Sequence, residues 1–271
     1  MRNAGFLFYK EYFKQLRFDN GKPSLNFQND SLYNLKLDYK FEELFSTEDS
    51  FELTTIYPGL LIGSGYNHEI GGKELEGELK LGFFFDYTTG IPCIPGSSVK
   101  GVLRVACGKD NGGYAVSITE QLRSNDELNE EIKKSLKEID SQKMFSTVGN
   151  QPSHFINHVF NGKKDNDIYL PYKERDIFFD SFPIKSNKHN GKFLANDYIT
   201  PHKHPKNPKL DPFTNPNPIQ FLKVLPKVTF KFSFRLTDTC INKKIKLELF
   251  KQILLDLGVG AKTNVGYGQF I

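Results

Sequence analysis

From residue 227 to 236 the sequence alternates with a period of two, and few backbone shapes satisfy such a run. Val228, Phe230, Phe232, Phe234 and Leu236 fall on one side, and Lys227, Thr229, Lys231, Ser233 and Arg235 on the other. Side chains of a strand point alternately to its two faces, so the pattern predicts a strand with one face in a core. Phe supplies 25 of the 271 residues and Trp none, a bias suited to sheets that bury one face. A chain of this length can bury a sizeable core.

The polar side of the run carries a second message. At about 3.3 Å per residue, neighbouring cations on that face stand roughly 13 Å apart. With hydroxyls between them they make either a solvated sheet face or a surface that tracks a phosphate chain. Net charge does not decide between these. It is only +4, from 36 Lys and Arg against 32 Asp and Glu, so the placement of the cations matters more than their number.

The rest of the chain mixes both periods. Phe6, Tyr9, Phe13 and Leu16 predict an amphipathic helix over 4–17. Alternation predicts strands over 34–41, where a short helix also fits, and 75–87, and 51–62 reads as a strand running into the turn Gly63-Ser64-Gly65. Ile118, Leu122, Leu128, Ile132, Leu136 and Ile139 predict one helical stripe across 117–145. Residues 185–218 hold many Pro, Asn, Lys and His and read as a long loop ordered by a partner. Strands interleaved with helices predict the α+β class and a single domain over 1–271.

Two further segments offer anion contacts. In Gly96-Ser-Ser-Val-Lys-Gly-Val-Leu-Arg104, Ser97 or Ser98 can cap a helix whose first amides, with Lys100 and Arg104 one turn apart, suit a phosphate. An ordinary capped helix fits equally well. The second segment is Gly258-Val-Gly-Ala-Lys-Thr-Asn-Val-Gly-Tyr-Gly-Gln-Phe270. Glycines this dense serve close backbone approach or positive φ, since each weakens a helix or strand by about 0.5–1 kcal/mol relative to Ala. It is no phosphate loop, because it follows a helix and Ala261 precedes Lys262, and Thr263 stands where GxGxxG needs glycine. Gly260, Lys262, Thr263, Asn264 and Gly266 are its candidate phosphate and sugar contacts, with a purely structural turn as the other reading.

Catalytic signatures are weak. His154 and His158 have i, i+4 spacing but lack a third zinc ligand, and Cys93, Cys107 and Cys240 form no CxxC pair. Asp176 and Asp180 read as partners of Arg175 rather than as a metal pair. His202 and His204 can serve as acid or base, or as RNA contacts. No metal and no cofactor are expected. The apolar run Phe6–Tyr9 is closed at once by Lys10 and Glu11, and no stretch has the length to cross a bilayer. The expectation is a soluble, cytoplasmic chain with no signal peptide.

The segment Gly258–Phe270 fits the glycine signature of the RAMP superfamily of CRISPR proteins: G-hydrophobic-G, five residues, then G-hydrophobic-G-x-hydrophobic. The chain resembles that superfamily, and within it the subunits of type III-B (Cmr) effector complexes. The closer likeness rests on ordered blocks at Tyr57–Gly65, Phe85–Pro92, Ile94–Arg104, Arg175–Asp180, Asp197–His202 and Asn215–Leu225. It implies a ferredoxin-like (RRM-like) fold, in one unit or in tandem, and a non-catalytic subunit holding the 3′ part of a CRISPR RNA in antiviral defence. The implied partners are the CRISPR RNA, complementary target RNA, a repeated backbone RAMP subunit, a small helical subunit and a neighbouring RAMP subunit. His202, Lys223, Lys227, Lys231 and Arg235 join the two loops as candidate RNA contacts. The alternative is a metal-independent endoribonuclease that processes CRISPR RNA with a histidine base at His158, His202 or His204.

Overall fold

The computed structural model describes residues 3–14, 17–19, 21–37, 49–62, 78–79, 84–108, 113–147, 151–165, 168–199 and 218–271. In chain order come α1 (Ala4–Phe6), β1 (Arg17–Asp19), β2 (Lys22–Ser24), α2 (Asn26–Tyr33) and β3 (Asp49–Thr54). Then follow α3 (Gly96–Gly108), α4 (Gly113–Arg123), α5 (Glu130–Lys137), α6 (Ser141–Phe145), β4 (Lys163–Asp165) and β5 (Ile168–Tyr169). The C-terminal part holds β6 (Ile177–Phe178), β7 (Phe182–Ser186), β8 (Leu194–Ile199), β9 (Ile219–Val224), β10 (Val228–Arg235) and α7 (Lys243–Leu257).

The alternating run becomes β10, the central strand of a four-stranded sheet. Antiparallel β3 lies along one edge, with Phe232 opposite Phe51, and β6 and β7 lie along the other, with Phe234 opposite Phe178. Phe230, Phe232 and Phe234 are fully buried, and Phe234 meets Phe250 of α7 at 5.6 Å between ring centroids. Ile245, Leu249 and Ile253 are buried in the same core, and Phe250 also meets Phe178 at 5.7 Å, so α7 covers one face of the sheet. Each such side chain contributes about 1.5–3 kcal/mol by leaving water.

The other face differs from the open polar surface that alternation predicts. Thr229 and Ser233 are buried, and the Thr229 hydroxyl meets that of Thr54 at 2.9 Å and accepts from Asn187 Nδ2 at 3.3 Å. A strand hydrogen-bonded on both sides has neighbouring strands crowding its polar positions as well.

Several sequence expectations shift. The N-terminal helix runs through α1 into a π-helical turn at Leu7–Glu11, which turns Ala4, Phe8 and Tyr12 inward and leaves Phe6 exposed. The stripe over 117–145 breaks into α4, α5 and α6, because the Asn129 and Asp140 side chains cap new helices by accepting from the Glu131 and Lys143 amides. Ile118, Leu122 and Leu136 are nonetheless buried.

The proposed loop over 185–218 contains β8, which pairs with β9 in register from Leu194 opposite Val224 to Ile199 opposite Ile219. Burial of Phe193 and Leu194 beside Phe221 and Leu222 outweighs the polar composition. Residues 200–217, with His202 and His204, lie outside the described residues, as does most of the strand expected over 75–87. Tyr87, expected on that strand, sits exposed in a turn where Asp86 accepts from the Thr89 amide at 2.6 Å.

Candidate nucleic-acid interface

The glycine loop begins where α7 stops at Gly258 and packs backbone against backbone. Val259 N–H donates to Gly268 O at 2.9 Å, Ala261 N–H to Leu61 O at 2.7 Å, and Gly268 N–H to Gly59 O at 2.8 Å. Gly268 has φ 68°, and a Cβ there would lie 2.0 Å from the Val259 carbonyl oxygen. Gly260 is pressed against the Leu61 carbonyl, whereas Gly266, at φ 97°, faces only the Pro58 ring. The close approach read from the sequence is therefore largely an approach to the protein's own turn at Gly59–Leu61.

What this packing presents outward is the turn Lys262–Gly266. Lys262 adopts a left-handed φ of 59°, and Lys262 and Asn264 are exposed, with Thr263 half-buried. Tyr57, from the adjoining turn, is 83% exposed. Sequence reasoning assigned it no contact, although an aromatic followed by Pro58-Gly59 in a turn was the available signal. Lys227 stands at the same end of the sheet, its amide donating to Thr55 O at 2.8 Å.

Lys223 is committed elsewhere. Its ammonium lies 2.6 Å from Asp197 Oδ2, which also accepts from the Tyr267 hydroxyl at 2.7 Å. Burial pushes the Asp197 carboxyl up, but Lys223, Tyr267 and the Tyr198 amide outweigh it and hold the group below its ordinary value. The cluster ties the glycine loop to the β8–β9 hairpin.

At α3 the expected cap is corrected. The helix opens at Gly96, so Ser97 and Ser98 lie inside its first turn, and the Gly96 amide donates to Asp180 Oδ1 at 2.7 Å. The protein's own carboxylate thus takes part of the anion position read from the sequence. Lys100 Nζ lies 5.6 Å from the Phe178 ring centroid, and Arg104 is exposed one turn on. Burial first, then the Arg104 charge, lower the Lys100 pKa, with Asp176 opposing. A bound anion would relieve that repulsion.

Lys100 and Lys262 do not converge. Phe178 is opposite Phe234 at one end of β10, while the glycine loop pairs with Thr54 and Thr55, beside Thr229 and Val228 at the other. Those ends are about 20 Å apart. Lys231 stands between them opposite Glu52, and Arg235 lies near the Lys100 end with its guanidinium 5.2 Å from the Tyr172 ring centroid.

The Arg175 expectation also fails. Asp176 pairs with Lys246 at 2.7 Å, both side chains buried, while Arg175 Nε donates to Leu170 O at 2.8 Å. His154 and His158 do stack, at 4.2 Å between centroids, and His154 Nδ1 meets Cys240 Sγ at 3.4 Å. Burial pushes the Cys240 thiol up to about 12, far from a reactive thiolate. Among the described residues no three of His, Cys, Asp and Glu gather to hold a metal ion, and no helix is long and apolar enough to cross a membrane.

Comparison with known proteins completes the picture. "CRISPR system Cmr subunit Cmr6" of Pyrococcus furiosus is 29% identical over 210 residues, covering 67% of this chain and 58% of that protein. This chain therefore matches little more than half the length of that relative. A chain in the cryo-EM structure of the type III-B Cmr-beta bound to cognate target RNA superposes with a TM-score of 0.53 at 22% identity. That match covers 98% of this chain and 83% of the other, and it is a likeness of fold. The RAMP superfamily model matches residues 52–271, which take in the sheet, α7 and the glycine loop. The chain belongs to the RAMP superfamily.

Proposed function

We propose that this protein is a non-catalytic, RNA-binding subunit of a cytoplasmic type III-B CRISPR effector assembly. In this reading it holds the 3′ part of the guide RNA beside the repeated backbone RAMP subunit, a small helical subunit and a neighbouring RAMP subunit, and the assembly meets complementary target RNA. The observation that carries the reading is the Lys262–Asn264 turn, with Lys262 and Asn264 exposed, near exposed Tyr57 and half-buried Lys227. Backbone amides, ammonium groups and hydroxyls of this kind contact phosphate and sugar without reading bases. The resemblance to the Cmr6 subunit supplies the assembly.

The test is the amount of guide RNA recovered with the assembled complex. Lys262→Ala should lower it with melting unchanged, because an exposed lysine contributes little stability, and Lys100→Ala should lower it with at most a small melting loss from its half-buried contact with Phe178. RNA affinity of the isolated chain should fall steeply with salt. Full guide retention in the Lys100→Ala, Lys262→Ala double variant would overturn the site. Incubation of the isolated chain with RNA, with and without divalent metal, should give no cleavage. Cutting that disappears in His158→Ala or His202→Ala would replace the binding role with that of a nuclease.

A further inference from the structure

A second aromatic and basic surface lies outside the glycine loop. At the β4–β5 hairpin Ile168 and Tyr169 are each 60% exposed, and Tyr172 in the turn that follows is 68% exposed. Exposed apolar area gathered so closely marks a contact surface rather than a scatter of surface residues.

Both rings carry cations. Lys163 Nζ lies 5.1 Å from the Tyr169 centroid and the Arg175 guanidinium 5.6 Å from it, while Arg235 lies 5.2 Å from the Tyr172 centroid. The backbone holds both guanidinium groups in place. Arg175 Nε donates to Leu170 O at 2.8 Å, Arg235 Nη2 to Tyr172 O at 3.3 Å, and the Glu174 amide closes the turn on Pro171 O at 2.9 Å. Guanidinium groups so fixed lose little freedom on binding. The Asp176 carboxylate, next to Arg175 in the chain, does not neutralise the two guanidinium groups, because it is 1% exposed and turned inward to Lys246.

Exposed rings with cations beside them match a flexible polyanion that carries flat bases. We propose that Tyr169 and Tyr172 form a stacking platform for unpaired bases of single-stranded RNA, with Lys163, Arg175 and Arg235 placed on its phosphates. The proposal rests on the RNA-binding reading above and assigns to it a second site, away from the glycine loop and sharing Arg235 with the Lys100 end of the sheet.

The experiment uses the full chain and a short single-stranded oligo(A) that carries a fluorescent adenine analogue, with a melting curve for each variant. Tyr169→Leu and Tyr172→Leu should each weaken binding roughly tenfold and abolish quenching of the analogue, whereas Tyr169→Phe and Tyr172→Phe should stay within about twofold of the parent. Leucine retains apolar bulk and phenylalanine retains the ring, so the contrast isolates stacking from general apolar contact. Unchanged affinity and quenching in the double leucine variant would overturn the platform. If Lys100→Ala with Lys262→Ala abolishes binding while the leucine variants do not, the RNA-binding role stands and this site falls. If neither set matters, both fall. Leucine variants that bind RNA normally but lose a co-purifying subunit would replace the platform with a protein interface.

Discussion

Adding one methyl group at Gly268 or at Gly266 should separate the architecture of the glycine loop from its surface. At Gly268 the new carbon would lie 2.0 Å from Val259 O and 3.0 Å from the Val259 carbonyl carbon. Both atoms are backbone, so no rotamer change relieves the overlap. The chain must shift, which strains the pairing of Val259 with Gly268 and of Gly268 with Gly59. A left-handed conformation costs a non-glycine residue about 1–2 kcal/mol. Losing one or two hydrogen bonds adds about 1 kcal/mol each. Gly268→Ala should therefore destabilise by about 2–4 kcal/mol. At Gly266 the nearest atom, Pro58 Cδ, is 3.3 Å away, so mainly the conformational cost of about 1–2 kcal/mol applies. In a chain of this size the first should lower Tm by roughly 10 °C and the second by a few degrees. Thermal melts of both variants, with RNA anisotropy below the transition, decide the matter. Equal melting losses, or a larger one at Gly266, would refute the steric argument.

Two further outcomes follow from buried and half-buried charge. Asp176→Asn strands the Lys246 ammonium, which is 0% exposed, and should cost about 3–5 kcal/mol in urea denaturation. Asp176→Leu combined with Lys246→Met should recover part of that, since the Thr237 amide and hydroxyl also donate to Asp176, and a single-variant loss no larger than that of the pair would contradict the account. The Asp197 pKa is depressed in the fold, so its contribution is complete above the ordinary carboxylate value of about 3.9 and is lost as pH falls through the folded value. Asp197→Asn should therefore leave the pH slope of stability near neutrality unchanged and remove an acid-dependent step of less than about 1 kcal/mol. A difference in pH slope between parent and variant near pH 7 would contradict the assignment.

The elements legible in the sequence are those whose side chains make a local, periodic choice. β10 announced itself because one face is wholly apolar, and the helical parts of 117–145 because Ile118, Leu122 and Leu136 recur at helical spacing. β8 escaped notice because its pairing partner lies across residues 200–217, and Asn196, Asp197 and Tyr198 mask the buried Leu194. The glycines of the loop signalled close approach correctly, but a single sequence does not name the other party, which proved to be Gly59–Leu61. Contacts spanning 70 positions, such as Asp176 with Lys246 and Asp197 with Tyr267, have no local signal at all. Tyr57 is marked in the sequence only by the Pro58-Gly59 that follows it, and that turn signal does not by itself say that the ring stays outside the core.

The separation of the two basic groups by the length of β10 gives the sheet the character of a gauge. On the RNA-binding reading, one strand that reaches from Lys262 to Lys100 is held by two weak grips, and the second closes as an intramolecular step at high effective concentration. A fragment too short to bridge about 20 Å holds only one grip and forfeits that gain. Retention should thus rise with RNA length as a step rather than a slope, so that the spacing of the two grips discriminates between trimmed and intact strands without a single base being read.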